Sequence, residues 1–177
     1  STHQNNRDHR KICVIDGHTA FTGGVNLADE YINRKVRFGH WKDTAVMVEG
    51  DAAVGFTMMF LQMWGVTEQE KERYESYLKP ADYRLPKDAD ASGFVIPYGD
   101  SPLDKENVGE QVYLDILGHA KKYVHIMTPY LILDDQMINA LQYSAKRGVE
   151  TIIIMPHIPD KKSAFMLAHS YYTELIE

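Results

Sequence analysis

Strand-like alternation and helix-like periodicity take turns along the whole chain, which points to a layered α/β or α+β fold rather than a bundle or a sandwich. Arg10 to Ile15 and Thr19 to Thr22 read as two strands joined at Asp16-Gly17, a dipeptide suited to a two-residue hairpin turn. Trp41 to Gly50 reads as a third strand, after which Asp51 is placed to cap a long, buried apolar helix over Ala52 to Val66. Thr67 with Glu70 has capping-box spacing and opens a polar helix through Leu78.

Between Lys79 and Ser92 the apolar rhythm lapses into KPADYRLPKDADAS, rich in proline and aspartate, and this stretch is the predicted linker. The pattern then restarts. Gly93 to Tyr98 reads as a strand, and Asn107 with Glu110 opens a helix whose Val112, Ile116 and Ala120 share one side. YVHIMTP is a strand ended by Pro129, and Asp134 caps a helix that runs to Arg147 and stops at Gly148. VETIIIMP is a buried strand by its β-branched run, and Asp160 to Ile176 is a last, aromatic-rich helix.

With 177 residues, 44% of them apolar, the chain can bury a core of ordinary size. Its net charge of −6 works against a nucleic-acid partner, because such affinity comes largely from cations that neutralise phosphates. The single cysteine, Cys13, permits no disulfide within one chain and suits a reducing compartment. The apolar window Ala52 to Val66 is shorter than the roughly 20 residues a bilayer crossing needs, and Thr57 and Gln62 interrupt it. The leading STHQNNRDHR lacks the apolar core of a signal peptide.

The stretch RDHRKICVIDGHTAFTGGVN holds the candidate chemistry. If Asp16 and Gly17 are the two turn residues, counting outward pairs Ile15 with His18, Cys13 with Ala20, Lys11 with Thr22 and His9 with Gly24. His9 and Lys11 then share a strand face, with Gly23, Gly24 and Asn26 arriving beside them. An imidazole can attack phosphorus, an ammonium can neutralise nonbridging oxygens, and an amide and glycine N–H groups can donate to them. A nucleophilic histidine also needs its second ring nitrogen held, usually by a carboxylate. Asp16 stands seven residues from His9, on the order of 23 Å along an extended strand, so it is excluded as that partner within the chain. Asp43, on the third strand, is the acid expected beside the hairpin. The competing reading of the same stretch is a surface hairpin with a charged start.

His9, Lys11 and Asp16 fit HxKxxxxD, and Gly23-Gly24-Val25-Asn26 follows at the offset of a GGxN segment. On these motifs, and on GHWKDTAVMVEG, TPYLILDD and AKRGVETIIIMP further along, the chain resembles the bacterial cardiolipin synthases of the phospholipase D superfamily. The resemblance implies mixed β-sheets flanked by helices, arranged as two similar halves around one site. Residues 1–79 would end the first half, 80–92 would link, and 93–177 would begin a second half without its own motif. It implies transfer of a phosphatidyl group between two phosphatidylglycerol molecules through a phosphohistidine, with no metal or other cofactor. It assigns His9 as a catalytic imidazole, Lys11 and Asn26 to the phosphate, and Asp43 to orienting His9. Asp16 belongs to the motif with a structural role at the turn, and Gly24 stands where many relatives carry serine.

The full HxKxxxxD pattern occurs once, so the chain reads as a soluble, inactive fragment of an enzyme that works at the bacterial membrane surface. The alternatives are a single-motif phosphodiesterase or nuclease acting as a symmetric dimer, and a noncatalytic phosphate-binding module. No HExxH or Cys/His cluster suggests a metal. His125 reads as a hydrogen-bonded core histidine and Cys13 as a small buried residue. Met58, Met59 and Met63 read as core filler, Phe165, Tyr171 and Tyr172 as core packing, and Lys161-Lys162 as a solvated helix start.

Overall fold

The computed structural model describes residues 8–67, 73–78, 93–101 and 105–176. Two compact units emerge, Ser1–Tyr98 and Gly99–Glu177. The expected linker and the Thr67–Glu70 capping box fall on or across residues outside this description; within 73–78 there is a single 3-10 turn, Tyr74–Ser76.

In the first unit, β1 (Ile12–Ile15), β2 (Thr19–Gly23) and β3 (Ala45–Glu49) form an antiparallel sheet in that order, followed by helix α1 (Ala53–Thr67). The hairpin turns at Asp16 and Gly17, both at positive φ (52° and 71°), and His18 N–H donates to Ile15 O at 3.2 Å. Its register differs by one residue from a two-residue loop. Ile15 pairs with Thr19, Cys13 with Phe21 and Ile12 with Thr22, so the expected pairs Cys13–Ala20 and Lys11–Thr22 are corrected. His18 is taken into the loop and shifts every later pair.

Period-two alternation sends Ile12, Val14 and Ala20 to one face, where they pack with Val48 against Ala53 and Phe56 of α1. Cys13 and Ile15 fall on the other face and are exposed, which corrects the buried reading of Cys13. Helix α1 is apolar on every side, yet only one side meets the sheet. Phe56, Thr57 and Leu61 are buried, while Phe60, Met63, Trp64 and Val66 are exposed, so the helix and Met63 are less buried than expected. The helix opens through backbone turn bonds, Ala53 N–H to Gly50 O at 3.0 Å and Val54 N–H to Asp51 O at 3.1 Å, rather than through an Asp51 side-chain cap. Gly93 to Tyr98 is not a strand. Phe94 and Ile96 are exposed, and Pro97 lies where a β-carbon on Gly55 would stand, 2.5 Å from it.

In the second unit, α2 (Val108–His119), β4 (Tyr123–Met127), α3 (Asp135–Lys146), β5 (Glu150–Ile154), α4 (Lys162–Ser170) and α5 (Tyr172–Ile176) follow in order. β4 and β5 pair in parallel, as a β-α-β crossover requires. Leu117, Val124, Leu141 and Val149 form the core, drawn from two strand-flanking helices and the sheet edge. The Asp134 carboxylate accepts from Met137 N–H at 2.9 Å, and Gly148 takes φ 87°, so both ends of α3 are closed as expected.

Asn107 flanks α2 but donates to Glu110 rather than capping backbone, and the buried position of that helix is Leu117, with Ile116 exposed. The last helix breaks at Tyr171, whose N–H donates to Ala168 O and whose hydroxyl donates to Leu133 O at 3.1 Å. Phe165, Tyr171 and Tyr172 are partly buried there. His125 is hydrogen-bonded to Glu150 at 2.9 Å, but its side chain is 44% exposed and it is not a core residue. Lys161 and Lys162 are exposed, Lys161 lying over the Tyr130 ring. Among the described residues no helix is long and apolar enough to cross a membrane.

Candidate active site

The open end of the three-stranded sheet, beyond Ile12 and Gly23, gathers the candidate residues. His9 is exposed, and Lys11, Asn26 and Asp43 are partly buried. Lys11 Nζ donates to His9 O at 2.6 Å, which folds the ammonium back along its own strand beside the histidine. Asp16 stays exposed at the far end of the hairpin.

On either side of His9, Asp8 and Arg10 form a two-pronged pair, with Arg10 Nε and Nη2 each 2.9 Å from a carboxylate oxygen and Arg10 N–H at 3.1 Å. Residues 8 and 10 share a strand face, so this clamp fixes the backbone of His9 while leaving its ring on the opposite face. The Arg10 hydrogen bonds, outweighing a small desolvation effect, hold the Asp8 carboxyl below the usual aspartate range. The D-x-R spacing around the motif histidine is the sequence signal that would have revealed this pair.

The glycines do a different job from the one expected. A β-carbon on Gly23 would stand 2.4 Å from Thr44 O, and one on Gly24 would stand 2.5 Å from Asp43 Oδ1. Gly24 N–H is already committed to Thr44 O at 3.2 Å. The pair therefore lets the segment before β3 approach, and the Gly24 N–H is not available to an anion. Position 24 consequently brings the Asp43 carboxylate over the hairpin.

Asp43 is itself anchored: its Oδ2 accepts from Trp41 Nε1 at 3.0 Å and its Oδ1 from Thr44 N–H at 2.8 Å. Among the described residues no hydrogen bond joins it to the His9 ring. The strand ladders stop short of both, at Ile12–Thr22 and Gly23–Ala45, with a bend at Gly24. Trp41 was not among the residues singled out by sequence, because nothing in its spacing says that its indole turns back on Asp43.

Among the described residues no cluster of histidine, cysteine, aspartate and glutamate fits a metal ion. What the site offers is an imidazole, an ammonium, a side-chain amide and a fixed carboxylate at one sheet end.

No family model matches the chain. It is 58% identical over its whole length to an uncharacterized protein of Streptococcus mutans, of which it covers 37%. It is 36% identical over 98% of its length to a cardiolipin synthase of Alkalihalophilus pseudofirmus, covering 34% of that protein. A cardiolipin synthase of Halalkalibacterium halodurans is 35% identical over 98% of the chain, again with 34% of its own length matched. The chain thus spans about a third of the curated relatives it matches. The resemblance to bacterial cardiolipin synthases of the phospholipase D superfamily holds along nearly the whole chain, and the mixed sheets with flanking helices agree with it.

Proposed function

We propose that this chain is one portion of a phosphatidyltransferase that makes cardiolipin, and that it carries one of the two motifs of a shared active site. That relatives are named cardiolipin synthase supports a phospholipid as the substrate class. The observation that carries the reading is the common sheet end: Lys11 is hydrogen-bonded beside His9 just before β1, and Asp43 is anchored just before β3, next to Gly24.

In this reading one imidazole attacks the phosphorus of phosphatidylglycerol, forming an N–P bond as the bond to the glycerol oxygen breaks. A second imidazole gives that oxygen its proton, and glycerol leaves. The same imidazole then removes the proton of a hydroxyl on another phosphatidylglycerol, whose oxygen displaces the first histidine and forms cardiolipin. His9 is one of the two imidazoles. Lys11 and Asn26 neutralise and orient the nonbridging oxygens, Asp43 holds His9 in the required tautomer, and Asp16 shapes the turn. Because two imidazoles are needed, the chain by itself has little or no transferase activity.

The test compares this chain with the longer protein containing it in phosphatidyl transfer from phosphatidylglycerol, with acid trapping of any phosphoenzyme. The longer protein is expected to form cardiolipin and to lose that activity in His9→Ala. Robust cardiolipin formation by this chain alone, abolished by His9→Ala, would overturn the half-site reading and favour a symmetric dimer with two copies of His9. Unchanged transfer by the His9→Ala longer protein would remove His9 from the chemistry altogether. A label retained in His9→Asn but lost on changing the downstream histidine assigns the nucleophile to the other motif.

A further inference from the structure

The Asp43 carboxylate is fixed by a chain of contacts that reaches back to the 3-10 turn Asp29–Ile32. Asn33 ends that turn at φ 60°, a left-handed conformation that asparagine tolerates better than most residues with a side chain. From there its side chain grips both backbone groups of Trp41, accepting from Trp41 N–H at 2.6 Å and donating to Trp41 O at 2.7 Å. Tyr31 meets the Trp41 ring edge-on at 4.9 Å, and Phe38 lies against it at 5.6 Å. The indole, held on its backbone and on its ring, directs Nε1 to Asp43 Oδ2 at 3.0 Å.

We propose that Trp41 and Asn33 are positioning residues for the phosphate site, fixing the Asp43 carboxylate against Gly24 at the open end of the sheet. This rests on the function proposed above. The end of an aspartate side chain normally yields to a neighbour by rotating. Here rotation breaks the bonds from Trp41 Nε1 and Thr44 N–H, so the 2.5 Å approach to a β-carbon at position 24 cannot be relieved cheaply. Glycine at 24 and the indole at 41 are two parts of one device. The first makes room for the carboxylate, and the second aims it.

The structural arm uses this chain labelled with nitrogen-15. Of the two tryptophan indole signals, the one lost in Trp41→Phe is assigned to Trp41. That signal is expected downfield of an unbonded indole and to move upfield in Asp43→Leu and in Gly24→Ala, with the Trp64 signal as reference. An unmoved Trp41 signal in Asp43→Leu overturns the proposal.

The functional arm uses the longer protein in the phosphatidyl-transfer assay. Trp41→Phe keeps the ring packing and loses only the N–H, and Asn33→Gly keeps the left-handed backbone and loses the amide. Each is expected to lower kcat about tenfold to a hundredfold, as for a misaimed group, with KM changed little. Trp41→Phe combined with Asp43→Asn is expected to be no slower than Asp43→Asn alone, since the indole acts through the carboxylate. Wild-type kcat in Trp41→Phe, or losses that simply multiply in the double variant, overturns the positioning role. If Asp43→Asn is itself silent while the indole signal still reports the contact, it is the phosphate-site reading of Asp43 that fails, and the positioning role falls with it.

Discussion

The two units solve the same problem, covering one face of a small sheet with helix, in opposite ways. In the second unit the parallel pair β4–β5 is flanked by α2 and α3, and the shared core of Leu117, Val124, Leu141 and Val149 is drawn from α2, β4, α3 and the residue leading into β5. In the first, a three-stranded antiparallel sheet is covered on one face by α1 through the small cluster Ala20, Ala53 and Phe56. Its other face, with Cys13, Ile15, Phe21 and Met47, is exposed, and so is the far side of α1. The comparison teaches that the candidate site sits on the unit with the thinner core. There, hydrogen bonds to named side chains, rather than depth of burial, hold the residues in place.

The largest test of that contrast is a pair of truncations. Leu141→Ala, at a site only 2% exposed, is expected to cost about 2–5 kcal/mol. Phe60→Ala, at a site 48% exposed, should cost much less, both read from urea unfolding. A comparable loss at Phe60 would mean that α1 buries more than one side.

Capping separates the units next. Asp134→Ala removes the bond to Met137 N–H and should cost about 1 kcal/mol, whereas Asp51→Ala, where backbone turn bonds open α1, should be near neutral. Equal losses in thermal unfolding would erase that difference. Gly17→Ala should also cost about 1–2 kcal/mol, because φ 71° strains any β-carbon, and Thr19 and Phe21 amides should lose exchange protection first.

The remaining effects are smaller. Ser144 is fully buried on α3 and its hydroxyl has no hydrogen-bond partner among the described residues, so Ser144→Ala is expected to stabilise by up to about 1 kcal/mol, visible as a raised midpoint. Asp8 tests the site clamp through pH. Its carboxyl is held below its unfolded value, so its contribution to stability is present above about pH 4 and is lost as the pH falls through the lowered folded value. The pair is substantially exposed, so the effect is small. The stability difference between wild type and Asp8→Asn should therefore shrink on acidification, and a difference that persists in acid would exclude the Arg10 pairing as its source.

Much of the second unit was legible before any coordinates, because its elements announce themselves locally. Asp134 and Gly148 bracket α3 by cap chemistry, and the β-branched run 151–154 marks β5. Gly93 to Tyr98 misled for the complementary reason. Its alternation is strand-like, but a strand also needs a partner edge, and Pro97 instead packs against Gly55. In the candidate site, the motif spacing singled out His9, Lys11, Asp16, Gly24 and Asn26, and the expectation of a third strand beside the hairpin singled out Asp43. It did not reveal the Asp8–Arg10 clamp, the Asn33–Trp41 support or the commitment of Gly24 N–H to Thr44.

By itself the sequence determined which groups are present and how far apart they lie along the chain: the histidine and lysine two residues apart, the turn at Asp16-Gly17, and the glycines that return beside them. Residue period and cap chemistry act within a few positions, so these follow from local rules. Tertiary structure decided the one-residue shift of the hairpin, the side of α1 that stays exposed, and the swing of Asp43 over Gly24 under the Trp41 indole. Those depend on which backbone approaches which. A contact between strands is set by packing against the rest of the fold and carries no signature in the spacing of either partner.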